Sequence, residues 1–412
     1  MFQSCIKVYN NYLTRYSYIK SFIFDFLCWQ AMKTDLHTIF DQQYLIDRLK
    51  EQWVPSFRKK QIYTEIFTHS IISFQEMTTL PVDLRTKLSE SFQIIPFELD
   101  SIYENPDSTK IGFKLSNGSI VESVVMFHHH EKDRNDSTSA KDIVLNRVTL
   151  CISSQVWCPV WCIFCVTGKL GFGKNLWYDE MIAQVIRVNH YLKDKLGKKG
   201  DWTWWKVRNI VFMGMWEPLL NYDNVKMSLE FMLKQEFLSL SKRHVTISTS
   251  GIIPGIDRLV QDGIDCALAL SLHAPNQSLR EKLIPTIAKG YTLDKLMEVI
   301  DRYTQATWNR IFYEYIMIDQ MTDLPELAHE LVMLLRDRSA HVNLIPYNPN
   351  PAMPELRESS IKAILAFRDI LEAWGITVTA RINRGRTIKW ACGQLGYEKV
   401  VKGEKVVFEK KR

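Results

Sequence analysis

The chain has 412 residues, of which 46% are hydrophobic and 24% charged, a composition typical of a globular protein larger than one small domain. No apolar run approaches the roughly 18 residues that a membrane-spanning helix requires, so the sequence excludes a helical membrane protein and favours a cytoplasmic location. The net charge of +6 and the pI near 8.7 suit a polyanionic partner, although many enzymes without one carry a similar excess.

The N-terminal part of the chain divides into two predicted segments. Residues 1–31 have no clear hydrophobic period, which predicts an extension that is disordered or not native. Residues 32–95 place apolar side chains at helical spacing near 44–49 and 62–67, which predicts a small helical accessory domain. Basic and aromatic residues mix over 57–63, as in segments that contact an RNA backbone, although a solvated helix start has the same composition.

A β-hairpin is predicted in the linker formed by residues 96–142. Alternating residues at 110–115 and 120–127 flank Asn117-Gly118, a dipeptide that strongly favours a tight hairpin turn. The histidines that follow at 128–130 do not predict a metal site, because successive side chains of an extended chain point to opposite faces.

Strands and helices alternate from residue 143 to residue 398. This pattern predicts a parallel sheet curled into a partial (β/α)6 TIM-like barrel, followed by a basic tail at 399–412. In such barrels the chemistry gathers at the carboxyl ends of the strands. The predicted strands are 148–153, 209–214, 243–248, 266–272, 310–318, 342–345 and 377–381, and the predicted helices are 179–195, 225–234, 255–261, 292–304, 324–338 and 358–374.

Cysteine spacing after the first barrel strand predicts an iron–sulfur site. Four of the eight cysteines fall within residues 151–165, where crowding favours metal ligation over disulfides. Cys158, Cys162 and Cys165 form a C-x3-C-x2-C set, and three thiolates this close can ligate three irons of a [4Fe–4S] cluster. The fourth iron is then available to a non-protein ligand.

Several segments together resemble the radical S-adenosylmethionine (SAM) enzymes that methylate carbon 2 of an adenosine in large-subunit ribosomal RNA and in certain tRNAs. The resemblance runs from residue 35 to residue 396 in the family's order, and it implies the radical SAM barrel with a helical N-terminal domain that binds RNA. The segments that carry it are TLCISSQVWCPVWCIFC, TGKLGF, GMWEPLLNYDNV, VTISTSG, SLHAPN, LIPYNP and ACGQL.

Residue by residue, the resemblance implies a cofactor site. Cys158, Cys162 and Cys165 would hold the [4Fe–4S] cluster, and the amino and carboxylate groups of SAM would fill its open iron. Glu217 would bind the SAM amino group, while for Ser271 and His273 a purely structural role at a strand end is the alternative. The implied SAM contacts are Trp216, Glu217, Ser248, Ser271, Leu272, His273 and Asn348.

The resemblance also implies a chemical relay, because carbon 2 of adenine has no nucleophilic lone pair for ordinary methyl transfer. Cys392 would take a methyl group from one SAM, a radical from a second SAM would remove hydrogen from that methyl group, and the carbon radical would add to the ring. Glu122 would accept the ring proton. Cys151 would attack the Cys392 sulfur, releasing the RNA and leaving a transient disulfide of the kind a reducing cytosol permits.

The implied partners are 23S rRNA, tRNA and an electron donor such as flavodoxin or ferredoxin, and the enzyme is expected to be a monomer. The nearest alternative is the sister activity that methylates carbon 8 of the same adenine and gives antibiotic resistance. The helical N-terminal domain favours carbon 2. A more distant alternative is a catalytically impaired iron–sulfur protein that binds RNA.

Tryptophan stands where the family usually has glycine, at Trp157, Trp161 and Trp216, and also at Trp53 and Trp374. The chain has 12 Trp and only 17 Gly, whereas the usual glycine share of about 7% would give roughly 29. Some bacterial genetic codes read UGA as glycine, and decoding those codons as tryptophan would produce both anomalies. We therefore predict glycine at these positions in the native protein; genuine tryptophans would obstruct the SAM pocket.

Overall fold

The computed structural model describes residues 36–130, 144–166, 172–196, 206–215, 217–349 and 353–380. The predicted extension 1–31, the basic tail and two predicted site residues, Trp216 and Cys392, lie outside these ranges. The chain forms two compact units, one from residues up to 59 together with 73–94, and one from 60–72 together with residues from 95 onward.

The smaller unit is built from short helices around an apolar core that includes Leu45, Leu49 and Leu84. Its first helix begins where the Asp41 carboxylate accepts a hydrogen bond from the backbone N–H of Tyr44 at 3.0 Å. Its elements are β1 (His37–Thr38), α1 (Gln42–Glu51), the start of α2 (Phe57–Tyr63), α3 (Val82–Ser91) and β2 (Phe92–Gln93), which pairs in parallel with β1.

The predicted hairpin is confirmed and belongs to the larger unit. Strands β4 (Ser108–Leu115) and β5 (Ile120–His130) pair antiparallel, and Gly118 turns between them with a φ of +78°. A strand that the sequence pattern did not predict, β3 (Phe97–Asn105), pairs with β4 on its other side. The hairpin therefore forms part of a three-stranded antiparallel ribbon.

This ribbon continues directly into the parallel sheet of the barrel. Strand β5 pairs antiparallel with β6 (Val144–Cys151), and from β6 onward all neighbouring strands are parallel. The remaining parallel strands are β9 (Asn209–Phe212), β10 (Val245–Thr249), β11 (Ala267–Ser271), β12 (Ile311–Met317), β13 (Ala340–Pro346) and β14 (Thr377–Ala380). The sheet order is β14-β13-β12-β11-β10-β9-β6-β5-β4-β3. Strands β7 (Gln155–Trp157) and β8 (Phe172–Asn175) form a separate antiparallel pair.

Six βα units precede β14, which confirms the predicted partial (β/α)6 barrel. Consecutive residues such as Leu268, Ala269 and Leu270 are all buried, because both faces of the parallel sheet are covered. Among the described residues no helix is long and apolar enough to span a membrane. The helices are α4 (Tyr178–Leu196), α5 (Tyr222–Leu233), α6 (Ile253–Gln261), α7 (Gln277–Leu283), α8 (Pro285–Ala288), α9 (Leu293–Thr307), α10 (Pro325–Leu335) and α11 (Ile361–Ala373).

Two features depart from the predicted barrel elements. The short helices α7 and α8 follow β11, where the sequence pattern indicated only a connection. Helix α11 begins at 361 rather than at 358, because the Ser360 hydroxyl caps it by accepting from the N–H of Ala363 at 3.1 Å, while Glu358 forms an isolated β-bridge with Ile318.

Three tryptophans have left-handed backbone conformations that favour glycine. The φ angles of Trp53, Trp161 and Trp308 are 54°, 57° and 58°, and their exposed fractions are 94%, 52% and 92%. Tryptophan thus supplies three of the seven described non-glycine residues with positive φ, although it makes up only 12 of the 412 residues. Trp374 differs, since its φ is −100° and the following Gly375 takes the left-handed conformation.

Candidate active site

Cys151 is the last residue of β6 and lies at the carboxyl edge of the sheet. It is opposite Val124 of β5 and Val211 of β9, and its side chain is buried. The chain then passes through β7 (Gln155–Trp157) into residues 158–165, which hold Cys158, Cys162 and Cys165 and form the cysteine loop. Cys151 therefore lies at the base of the predicted cluster loop.

The cysteine loop is compact and is tied to helix α7. Cys158 and Cys165 are buried, while Cys162 is partly exposed. The N–H of Val160 donates to the Cys158 sulfur at 3.4 Å, and the N–H of Ile163 donates to the carbonyl of Leu283 at 3.0 Å. Burial, followed by the neighbouring Cys165, raises the pKa of the Cys158 thiol.

The donor set of the loop fits a four-iron cluster, in which each thiolate binds a different iron. Cys158, Cys162 and Cys165 lie in one short loop, and two of the three are buried. The three thiols of one short loop, one of them already accepting an N–H···S hydrogen bond, suit the soft irons of such a cluster.

A network of buried side chains fixes the base of the loop. The Gln184 side chain of α4 accepts from the Ser153 N–H at 2.9 Å and donates to the Ser153 carbonyl at 3.0 Å. The Ser153 hydroxyl donates to the Glu122 carbonyl at 2.6 Å and accepts from the N–H of Met215 at 2.9 Å. Asn221 donates to the Ser154 carbonyl at 2.8 Å. The network joins β5, β6 and the loop after β9.

Gly214 allows the chain after β9 to pass close to the chain after β6. A Cβ at this position would lie 2.5 Å from the Ile152 carbonyl oxygen, well inside a steric clash. The Gly214 N–H instead donates to that oxygen at 3.0 Å. This contact places the following Glu217 beside the cysteine loop.

Glu217 is buried at the start of a short 3-10 turn and joins three segments. Its carboxylate accepts from the N–H and the hydroxyl of Ser250 at 2.6 and 2.7 Å and from the N–H of Leu219 at 3.2 Å. Its own N–H donates to Gln155 at 3.1 Å. Burial raises the pKa of the Glu217 carboxyl, and the Ser250 donors oppose this effect.

His273 packs beside the cysteine loop as a neutral ring. Its Nδ1 accepts from the Ile316 N–H at 3.2 Å, which assigns the ring proton to Nε2. Its ring lies 4.9 Å from that of Phe164 in an edge-on contact. Burial, followed by the charge of Arg280, lowers the pKa of His273 to about 3.

The other predicted SAM contacts lie at the ends of three barrel strands, β10, β11 and β13. Ser248 is in β10 and Ser271 ends β11, both partly exposed, while Leu272 is buried. Asn348 follows β13, and its side-chain amide donates to the Pro346 carbonyl at 3.4 Å. All of these residues therefore lie at or just beyond the carboxyl ends of barrel strands, although those strands are distributed around the barrel.

Glu122 lies on the same sheet face as Cys151. Val124 is directly opposite Cys151, and Glu122 is two residues from Val124 along β5, so the pleat directs all three side chains to one side. Lys110 of β4 shares this face and forms an ion pair with Glu122 at 3.0 Å. The lysine side chain is 1% exposed and that of Glu122 is 13% exposed.

Sequence reasoning did not predict the residues that hold these parts together. Gln184 and Arg280 carry no motif of their own. Asn221 and Ser250 lie in the GMWEPLLNYDNV and VTISTSG segments but were not singled out, because their roles depend on neighbours distant in sequence. The SLHAPN segment, which follows β11 three strands away from β6, was the signal nearest Arg280.

The barrel, the three-cysteine loop and the polar strand ends define a radical SAM enzyme. In agreement, the profile of the radical SAM superfamily matches residues 152–331. A solved structure, a radical SAM methyltransferase from Sphaerobacter thermophilus, is 34% identical and covers 87% of this chain, with a TM-score of 0.77. That comparison spans 98% of the solved chain. Enzymes of this superfamily use SAM together with an iron–sulfur cluster.

Curated relatives identify the family within this class. A relative from Protochlamydia amoebophila, named "Probable dual-specificity RNA methyltransferase RlmN 2", is 38% identical over 87% of this chain and 94% of its own length. A relative from Dictyoglomus thermophilum, named "Probable dual-specificity RNA methyltransferase RlmN", is 38% identical over 86% of the chain and 95% of its own length. The chain belongs to the RlmN family and is a radical SAM RNA methyltransferase.

Proposed function

We propose that this enzyme methylates carbon 2 of an adenosine in 23S rRNA and in tRNA. The observation that carries the proposal is the placement of Cys151 at the end of β6, beside the cysteine loop and on the face of Glu122. The names of the curated relatives support RNA as the substrate and do not favour the carbon-8 activity.

The proposed cofactor residues are Cys158, Cys162 and Cys165 for the [4Fe–4S] cluster. When bound, the cluster and SAM together supply the reducing electron and the carbon-centred radical. Glu217 is proposed to bind the SAM amino group, which would place a cation against a carboxylate that is otherwise buried beside neutral Ser250 donors. Trp216, Ser248, Ser271, Leu272, His273 and Asn348 complete the proposed SAM contacts.

The proposed relay uses two cysteines and one carboxylate. The Cys392 thiolate takes the methyl group as the bond from that group to the SAM sulfur breaks; once a hydrogen atom has been removed, the methylene carbon bonds to the ring and links the RNA to Cys392. Glu122 takes the proton from the ring carbon, and the adduct would return one electron to the cluster. The Cys151 thiolate then attacks the Cys392 sulfur, so the carbon–sulfur bond breaks as a sulfur–sulfur bond forms, and the released carbon takes up a proton to become the methyl group. Reduced thiols restore both cysteines.

Segment roles, partners and location complete the proposal. Residues 32–95 are proposed to bind RNA, residues 96–142 to form the hairpin linker and residues 143–398 to form the catalytic barrel. A flavodoxin or ferredoxin supplies electrons to the monomer in the cytoplasm, where thiols remain reduced.

Replacing the two cysteines separately tests the relay. Cys392→Ala is expected to abolish methylation, whereas Cys151→Ala is expected to trap RNA on Cys392 as a complex that survives denaturing electrophoresis. Cys266→Ala is the matched control, because Cys266 is buried before β11, away from the carboxyl strand ends. Methylation that persists at the wild-type rate in Cys392→Ala would overturn the relay.

A further inference from the structure

Arg280 of α7 is buried among the carboxyl ends of two barrel strands. Its side chain is enclosed, with 1% of the residue exposed. Nη1 donates to the carbonyls of Ser271 at 3.0 Å and Leu272 at 2.6 Å, and Nη2 donates to the carbonyl of Ser250. One guanidinium therefore joins the chain leaving β10 to the chain leaving β11.

The backbone next to Arg280 leaves space for its guanidinium group. Gly251 has a φ of +104°, and a Cβ there would lie 3.0 Å from Nη2, closer than most Cβ atoms approach a neighbour. A larger residue at 251 would therefore be strained and would crowd the guanidinium. The glycine follows Ser250, whose hydroxyl and N–H bind Glu217. Arg280 and Glu217 are thus held by the same two-residue segment.

The positive charge of Arg280 has no carboxylate beside it within the described part of the chain. Its Nε is buried without a hydrogen-bond partner there. Burial lowers its pKa to about 10, so it stays a cation at neutral pH, and the nearby Cys162 sulfur opposes this shift. A buried cation without an anionic partner is costly, so the described surroundings of Arg280 suit a negatively charged group bound by the cysteine loop.

The cysteine loop connects this charge to the proposed cluster. The N–H of Ile163, next to Cys162, donates to the carbonyl of Leu283 at 3.0 Å, and Leu283 is one helical turn after Arg280. A cluster held by three thiolates carries net negative charge, which increases on reduction. A fixed cation nearby stabilises the reduced form more than the oxidised form.

Resting on the proposed function, we propose that Arg280 is a positioning residue with two effects: its charge raises the reduction potential of the cluster, and its hydrogen bonds hold the SAM-binding strand ends in place. The first effect depends on the charge. The second depends on the planar fork of donors, which lysine cannot reproduce. The two effects can therefore be measured separately.

The charge effect is tested with Arg280→Gln in cluster-reconstituted full-length enzyme, by redox titration monitored by electron paramagnetic resonance. The variant is expected to shift the reduction equilibrium at least tenfold toward the oxidised form, which is about 59 mV for one electron. Lys282→Gln, on the exposed side of the same helix, removes the same charge and is expected to leave the potential unchanged. Equal potentials in wild type and a fully loaded Arg280→Gln would overturn this half of the proposal.

The positioning effect is tested with Arg280→Lys, which keeps the charge. Its potential is expected to match wild type, while its dissociation constant for SAM, measured by equilibrium dialysis, is expected to rise at least tenfold. Wild-type SAM affinity in this variant would overturn the positioning role, and this half of the proposal is tested whether or not Arg280→Gln loads iron. Neither measurement depends on which RNA carbon is methylated, so their failure is distinct from failure of the proposed function.

Discussion

Single residues reveal where this sequence departs from what its backbone requires. Trp161 and Trp308 both adopt φ near 57°, a region that costs a side-chain-bearing residue about 1 kcal/mol and costs glycine almost nothing. Trp308 is also the C-cap of α9, the helix position at which glycine is most enriched. The sequence comparison with the family indicated Trp161, but Trp308 is indicated by its backbone alone.

Replacing Trp308 with glycine is expected to stabilise the protein by about 1 kcal/mol, because the left-handed strain is relieved and little buried surface is lost. Trp374→Gly is the matched control: Trp374 is also exposed and ends a helix, but its φ is negative. It is expected to be neutral or to lose about 0.5 kcal/mol. Equal denaturant midpoint shifts in both variants would contradict the argument from backbone conformation.

The same reasoning predicts the residues of the native protein. Mass spectrometry of peptides from the source cells is expected to find glycine at 308, which the backbone adds, and at 53, 157, 161, 216 and 374, which the comparison with the family indicates, with UGA as the codon at each position. Tryptophan in those peptides, encoded by UGG, would show that the strained conformations are genuine.

At the scale of elements, the strands carry two kinds of buried polar group: a neutral histidine and an ion pair. His273 accepts a hydrogen bond at Nδ1 from the N–H of Ile316 in β12, and its Nδ1 cannot take up a proton without losing that bond. Lys110 and Glu122 instead form a charged pair between β4 and β5. These two arrangements predict different responses to pH and to mutation.

The lowered pKa of His273 makes folding dependent on pH. The unfolded state binds a proton below about pH 6.5 whereas the folded state does so only near 3, so stability falls as the pH drops through that window. The slope is about 1.4 kcal/mol per pH unit. Comparing urea midpoints of wild type and His273→Gln between pH 4 and 7 is expected to show a smaller slope in the variant; identical slopes would contradict the neutral buried ring.

Removing Lys110 is expected to destabilise the sheet and impair the site. In Lys110→Met the Glu122 carboxylate loses its ammonium partner in a mostly buried position, which costs on the order of 3 kcal/mol. Lys114→Met, on the same strand but exposed, is expected to change stability by less than about 0.5 kcal/mol. Thermal unfolding of the two variants checks this contrast, and similar melting temperatures would contradict a stabilising buried pair.

The sequence predicted these elements better than it predicted their contacts. The alternation of strands and helices and the Asn117-Gly118 turn were enough for the barrel and the hairpin, because both signals are local. The cysteine spacing likewise indicated the cluster loop. The hydrogen bonds of Ser250 and Arg280 could not be predicted, since their partners come from segments that only the fold brings together. Helix α7 was missed because seven residues give too little periodicity.

At the scale of the whole molecule, one continuous sheet brings the proposed proton acceptor to the face of the sheet that carries Cys151. The antiparallel ribbon β3–β5 extends the parallel sheet from β6, and in this extension Glu122 is two residues from Val124, the residue opposite Cys151. A hairpin attached elsewhere on the barrel would not do so. The fold therefore explains why a segment outside the six βα units contributes to the proposed chemistry.

The central claim is that the methyl group passes through a cysteine and loses a hydrogen before it reaches the RNA. Mass spectrometry of the nucleosides formed from SAM with a fully deuterated methyl group tests this directly. The relay predicts 2-methyladenosine whose new methyl group keeps two of the three deuterium atoms, because one is removed by the radical. A product that keeps all three, or one that carries the methyl group on carbon 8, would contradict the account.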